Sequence, residues 1–192
     1  MFVRHMIPHH QQAIEMSDMI LAKSGIDPRV SDLATQIKDA QGPEIQQLRD
    51  WLTQWGMPTM SMTPGMDMPG MDMPGMGSDS PSPSGSLTPP SSGVPSTSVM
   101  PSGSMMPGME GMPGMAGMMS PADMEALKNA QGVEASELFL TQMIAHHEGA
   151  ITMAQKEIES GQFPAAITMS ESIVASQQKE IDTMNQVLTS LG

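Results

Sequence analysis

The two ends of this chain are copies of one another. At an offset of 137 residues, Phe2 aligns with Phe139, Met6-Ile7 with Met143-Ile144, His9-His10 with His146-His147, Ala13-Ile14 with Ala150-Ile151, and Met16 with Met153. One deleted residue later the offset is 136, and Gly25, Pro28, Ile37, Gln41, Glu44-Ile45 and Leu52 match Gly161, Pro164, Ile173, Gln177, Glu180-Ile181 and Leu188. Phe2, Met6, His9, Ala13, Met16 and Ile20 recur at three-four spacing, as do Val30, Leu33, Ile37, Gln41, Glu44 and Leu48, which predicts two amphipathic helices per copy. Gly25 and Gly161 serve as stops for the first helix of each copy, and Pro28 and Pro164 suit the first turn of the second. One hairpin of this size cannot cover its own apolar face, whereas two packed together share a core. The expected fold is therefore all-α: a four-helix bundle of two duplicated hairpins, residues 1–56 and 120–192. Ser120-Pro121-Ala122-Asp123 has the form of a capping box, so a short extra helix should run from Pro121 to about Gln131.

Between the copies lies a stretch of different character. Residues 57–119 hold 16 of the 25 Met, 12 of the 17 Pro and 11 of the 18 Gly, with Asp67, Asp72, Asp79 and Glu110 as the only charges. Proline and glycine at this density oppose both helix and strand, so the segment reads as a disordered linker. Consecutive antiparallel helices need only a few connecting residues, which makes so long an insertion a functional feature in its own right.

Composition removes several classes of function. With no cysteine there is no disulfide, thiolate metal site or cysteine nucleophile. Eight Lys and Arg against 21 Asp and Glu give a net charge of −13, the wrong sign for holding nucleic acid or an anionic membrane, and favour cationic partners such as metal ions. No apolar run reaches the roughly 18 residues of a membrane span.

All five histidines lie in the duplicated helices, four of them as the pairs His9-His10 and His146-His147. Neighbours on a helix point about 100° apart, so one member of each pair can face the bundle axis and the other an adjacent helix. Met6 and Met16, with their counterparts Met143 and Met153, share the stripe and bring thioether donors beside the imidazoles. The plain alternative is that the methionines fill the core and the histidines are hydrogen-bonded polar groups. Four imidazoles inside so small a bundle nevertheless need partners, and a metal ion is the simplest shared one. Such sites should weaken below about pH 6 as ordinary imidazoles protonate. Gln41-x-x-Glu44 and Gln177-x-x-Glu180 place Glu44 and Glu180 as third ligands or as groups that orient an imidazole. Pro8 and Gly42-Pro43 occur in the first copy only and should kink or interrupt its helices.

In the linker, Met66-Asp67-Met68-Pro69-Gly70 is followed by Met71-Asp72-Met73-Pro74-Gly75. Met66, Met68, Met71 and Met73 would offer paired thioethers, soft donors that prefer Cu(I) to hard cations.

Met-Ile-Pro-His-His-Gln-Gln-Ala-Ile at Met6 to Ile14, Met-Ile-Ala-His-His-Glu-Gly-Ala-Ile at Met143 to Ile151 and the later Gln-x-x-Glu-Ile of each copy resemble the bacterial family called domain of unknown function 305. The resemblance spans nearly everything but the linker. It implies a ferritin-like bundle, an extracytoplasmic setting and copper as the metal, because members of that family are described as copper-binding. The chain opens inside the first motif with no leader pattern, and so reads as the mature part of a periplasmic or secreted protein.

The leading expectation is thus a protein that captures, buffers or hands on copper without catalysis: Cu(I) in the linker clusters, Cu(I) or Cu(II) in the bundle, and a copper-exporting or copper-accepting protein as exchange partner. A ferritin-like di-metal oxidase is the enzymatic alternative, but the Glu-x-x-His motif of such sites is absent. A metal-free bundle that uses its methionines as an adaptable contact surface is the third reading.

Overall fold

The computed structural model describes residues 1–57 and 116–191, and every described element is helical. The linker's Met66, Met68, Met71 and Met73 cluster and most of its expected disorder lie outside these residues. The expectation fails at the linker's C-terminal end, where residues 116–119 are tied down by hydrogen bonds to His9 and Gln12 and by close packing on Gly149. The first copy forms α1 (Phe2–Leu21) and α2 (Pro28–Gln54); the second forms α4 (Gly132–Ser160) and α5 (Pro164–Leu191), with the short α3 (Pro121–Asn129) before it. No described helix is long and apolar enough to cross a membrane.

The local signals act as the sequence suggests. Pro28 and Pro164 open α2 and α5, and the Asp27 carboxylate accepts from the Arg29 amide to cap α2. Ser120 and Asp123 form a complete capping box on α3. That helix stops two residues before the expected Gln131, where Ala130 turns extended and Lys23 Nζ donates to the carbonyls of Lys128 and Ala130. Neither internal proline interrupts its helix. Pro8 and Pro43 are exposed, so the carbonyls of Arg4 and Asp39, which lose their i+4 donors, are left on the hydrated side.

Each long helix buries the stripe read from its spacing, and two apolar clusters result. One joins Ala13, Met16 and Ile20 of α1 to Ala135, Phe139, Leu140 and Met143 of α4, with Val30, Leu33, Ile37 and Met184 around them. The other joins Phe2, Val3, Met6 and Ile7 to Ala150, Met153 and Ala154, with Leu48, Leu52 and Ile173. Low numbers on α1 meet high numbers on α4, so these helices run antiparallel. Between the two clusters along both helices lie His9-His10 and His146-His147. Each fully buried Leu, Ile or Met contributes about 1.5–3 kcal/mol, so two apolar blocks of this size hold the polar layer between them.

Candidate metal centre

The two histidines of each pair do different things. His9 and His146, buried at the α1–α4 contact, stack with ring centroids 3.8 Å apart and planes tilted by 42°. His10 and His147, equally buried, turn towards the second helix of their own hairpins. His10 Nε2 donates to Glu44 Oε2 at 2.8 Å and His147 Nε2 to Glu180 Oε2 at 2.6 Å, the same bond at matching repeat positions. His9 Nε2 donates at 3.0 Å to the backbone carbonyl of Ala116, near the C-terminal end of the linker.

Carbonyls and carboxylates only accept, so in His9, His10 and His147 the Nε2 carries the proton. In a neutral ring the lone pair then sits on Nδ1, and all three Nδ1 atoms are buried with no hydrogen-bond partner among the described residues. His146 goes further, since neither of its nitrogens has a partner. Leaving a buried polar atom unpaired costs about 1–3 kcal/mol, which makes four imidazoles with unpaired nitrogens in one layer an arrangement that asks for a ligand. Gln41, both of whose amide atoms are unpaired, and Gln177 Oε1 add to the same deficit.

Burial also fixes the charge state of the inner pair. It is the largest influence on His9, followed by repulsion from His10, and together they hold its pKa down at about 3 against the weaker opposing effect of the Ala116 bond. His146 is likewise held well below the usual imidazole range, by burial first and then by His9, His147 and His10. These rings are neutral at pH 7 and need lose no proton to bind a metal. The expected weakening below about pH 6, argued from an ordinary imidazole, therefore does not apply to the inner pair: burial moves its titration far lower.

The thioethers flank this layer. Met16 and Met143 belong to the cluster on one side, Met6 and Met153 to the cluster on the other, and all four are buried. Glu44 and Glu180 lie at the margin, 22% and 20% exposed, each bonded to the histidine of its own hairpin. Among the described residues no three His, Asp or Glu side chains converge as a ready ligand cage. What the layer offers is soft and neutral: imidazole nitrogen and thioether sulfur, with carboxylates behind the outer imidazoles.

The family profile "Domain of unknown function (DUF305)" matches residues 1–188. The chain belongs to the DUF305 family. Among solved structures it is similar to a DUF305 protein from Streptomyces coelicolor assigned as secreted, with 27% identity, a TM-score of 0.69, and coverage of 100% of this chain and 91% of that one. A DUF305 fragment from Deinococcus radiodurans gives 25% identity and a TM-score of 0.67 over 98% of this chain and 93% of the other. CopM in its Cu(II)-bound form gives 26% identity and a TM-score of 0.64 over 100% of this chain and 95% of that one. Among proteins with curated descriptions, none matches.

Two residues of this DUF305 chain enter the site without having been singled out by its motifs. Gln12 clamps the backbone of Met119 with a pair of bonds, Nε2 to the carbonyl at 3.0 Å and Oε1 from the amide at 2.8 Å. Gly149, its counterpart at the 137-residue offset, lies directly beneath Ala116 and Gly117 on α4. The available signal was the mismatch itself, a Gln set against a Gly inside an otherwise well-matched motif.

Proposed function

We propose that this protein binds copper outside the cytoplasm without catalysing a reaction on it, taking the ion as cargo between the stacked imidazoles and buried thioethers. The observation that carries the reading is the neutral His9–His146 pair with its bare nitrogens at the centre of the fold. Neutral imidazole with thioether suits Cu(I), and imidazole also accepts Cu(II). Met6, Met16, Met143 and Met153 would complete the coordination of the inner pair. Glu44 and Glu180 would hold His10 and His147 in orientation, as carboxylates commonly do for metal-binding histidines.

Support also comes from the family: CopM, similar along nearly its whole length, is known with Cu(II) bound, and the Streptomyces coelicolor relative is assigned as secreted. The linker clusters Met66, Met68, Met71 and Met73 would gather Cu(I) for exchange with an exporting or accepting protein. The oxidase reading would need Glu44 and Glu180 to bridge metal ions, whereas each is paired with the outer histidine of its own hairpin.

The test is copper, iron and zinc content of untagged protein, in the wild type and in a His9→Gln/His146→Gln variant. Gln preserves hydrogen bonding and approximate volume, so the variant should fold and should lose the bundle's copper. Stoichiometric copper retained in that double variant lacking residues 61–106 would refute the assignment.

A further inference from the structure

Repeat symmetry breaks at one position next to the histidines, and the break is occupied. Position 12 of the first copy is Gln and the corresponding position 149 of the second is Gly. The Ala116–Met119 segment crosses over both. Gln12 holds its far end by two hydrogen bonds to the Met119 backbone. At its near end, Gly149 is small enough for backbone to lie on backbone: a Cβ placed there would be 2.0 Å from the Ala116 oxygen, 2.4 Å from its carbonyl carbon and 2.6 Å from Gly117 Cα. Gly117 fits the same contact from above. Its φ of +79° is one that other residues avoid, and a Cβ on it would strike the Ala145 and His146 carbonyls at 2.7 and 2.9 Å. The segment cannot sit here unless both glycines are present, and sitting here it delivers the Ala116 carbonyl to His9 Nε2.

We propose that Gln12 and Gly149 are positioning residues that seat the Ala116–Met119 strap so that its Ala116 carbonyl locks His9 as the Nε2–H tautomer and presents Nδ1 as the donor. The consequence is an unequal pair. His9 is preset with one nitrogen committed, while neither nitrogen of His146 has a hydrogen-bond partner among the described residues. A backbone carbonyl behind a ligating histidine fixes tautomer and ring orientation, and loss of such a partner weakens metal binding by about 10–100-fold. The tautomer claim concerns the metal-free protein; only its effect on copper rests on the function proposed above.

The experiment uses the full chain with Gly149→Ala and, separately, Gln12→Ala. The first forces the strap off α4 while giving the helix a better helix former, and the second releases the strap from α1 without touching α4. Long-range 1H–15N NMR of the metal-free proteins at neutral pH reads the His9 tautomer, and competition with a chromophoric Cu(I) chelator reads affinity. Wild type should show a single Nε2–H form, both variants a mixture, and Cu(I) affinity should fall at least tenfold. An unchanged tautomer in the variants overturns the proposal, with Gln12→Ala deciding if Gly149→Ala does not fold. A lost tautomer with unchanged Cu(I) affinity overturns the claim that the strap presets a ligand. Wild type that shows the tautomer response yet takes up no Cu(I) defeats the copper reading and leaves the strap's role standing.

Discussion

Acidifying the metal-free bundle from pH 7 to pH 5 should expose how much free energy is held in its neutral inner imidazoles. His9 titrates at about 3 in the folded protein and at the ordinary 6.5 when unfolded. Between those values the unfolded chain binds a proton that the folded one does not. Stability is therefore intact above pH 6.5 and declines as pH falls through the window down to about 3. At roughly 1.36 kcal/mol per unit, the step from pH 7 to pH 5 costs about 2 kcal/mol through His9 alone. His146 shifts in the same direction and adds to the loss. An opposing effect is built in, because the chain carries a net charge of −13 and acidification relieves its self-repulsion. The measurement must therefore be a difference. Urea unfolding of wild type and His9→Gln, both stripped of metal, would be followed at pH 7 and pH 5. Gln can donate to the Ala116 carbonyl but does not titrate, so the variant should lose about 2 kcal/mol less, a difference in midpoint of about 1 M at a typical urea slope. Equal losses in the two proteins would show that His9 is not held neutral by burial and would undo the charge-state argument for the site.

Four further outcomes are expected. Replacing Met16 and Met143 by Leu keeps core volume and should cost under about 1.5 kcal/mol by thermal unfolding; a clear fall in the bundle's Cu(I) affinity would mark the sulfurs as ligands, and no fall would mark them as packing. Replacing Met66, Met68, Met71 and Met73 by Leu should lower Cu(I) stoichiometry and spare Cu(II), and unchanged Cu(I) uptake would eliminate that cluster. Glu180→Ala strands the His147 Nε2 proton and should cost about 1–3 kcal/mol in denaturant titration, whereas Glu180→Gln keeps an acceptor and should cost less; equal costs would contradict the bond's role. Copper held by the bundle should persist on titration from pH 7 to pH 5, and release centred near pH 6.5 would show that ordinary imidazoles hold it.

Much of this architecture was open to inspection in the sequence because the physics behind it is local. Three-four spacing, prolines at helix starts and the Ser120–Asp123 box depend on residues a turn apart, and they gave the helices and the short α3. The 100° step between neighbouring residues already implied that the two histidines of a pair part company. It could not say which goes where, since that depends on the rotation of α1 against α2 and α4. The pairing of His10 with Glu44 needs the register of two helices, and the neutrality of His9 and His146 needs the depth at which they are buried. Pro8 and Pro43 misled for a related reason. A proline opposes helix through one lost bond and one clash, and the expectation of an interrupted helix did not know that both lie on the hydrated side.

The strap marks a different limit, and it carries a rule for reading duplicated chains. Matching residues in two copies identify what both halves need: a stripe, a turn, a histidine pair. They say nothing of what the whole needs once, because a single strap crossing the contact between copies must find different surfaces on its two sides. At position 12 it needs a long amide that can grip a backbone, and at position 149 it needs no side chain at all. The requirement is therefore written as a mismatch, and it is found by asking where near-identical motifs differ by more than a conservative change. Pro8 against Ala145 is another difference close by, but both side chains are exposed. Gln12 against Gly149 is distinguished by what fills the gap. Exchanging the pair, with Gln12→Gly and Gly149→Gln together, keeps composition constant while removing both the grip and the space. That double exchange should abolish the His9 tautomer lock as fully as either single change, and a lock that survives it would show that the mismatch is incidental to the site.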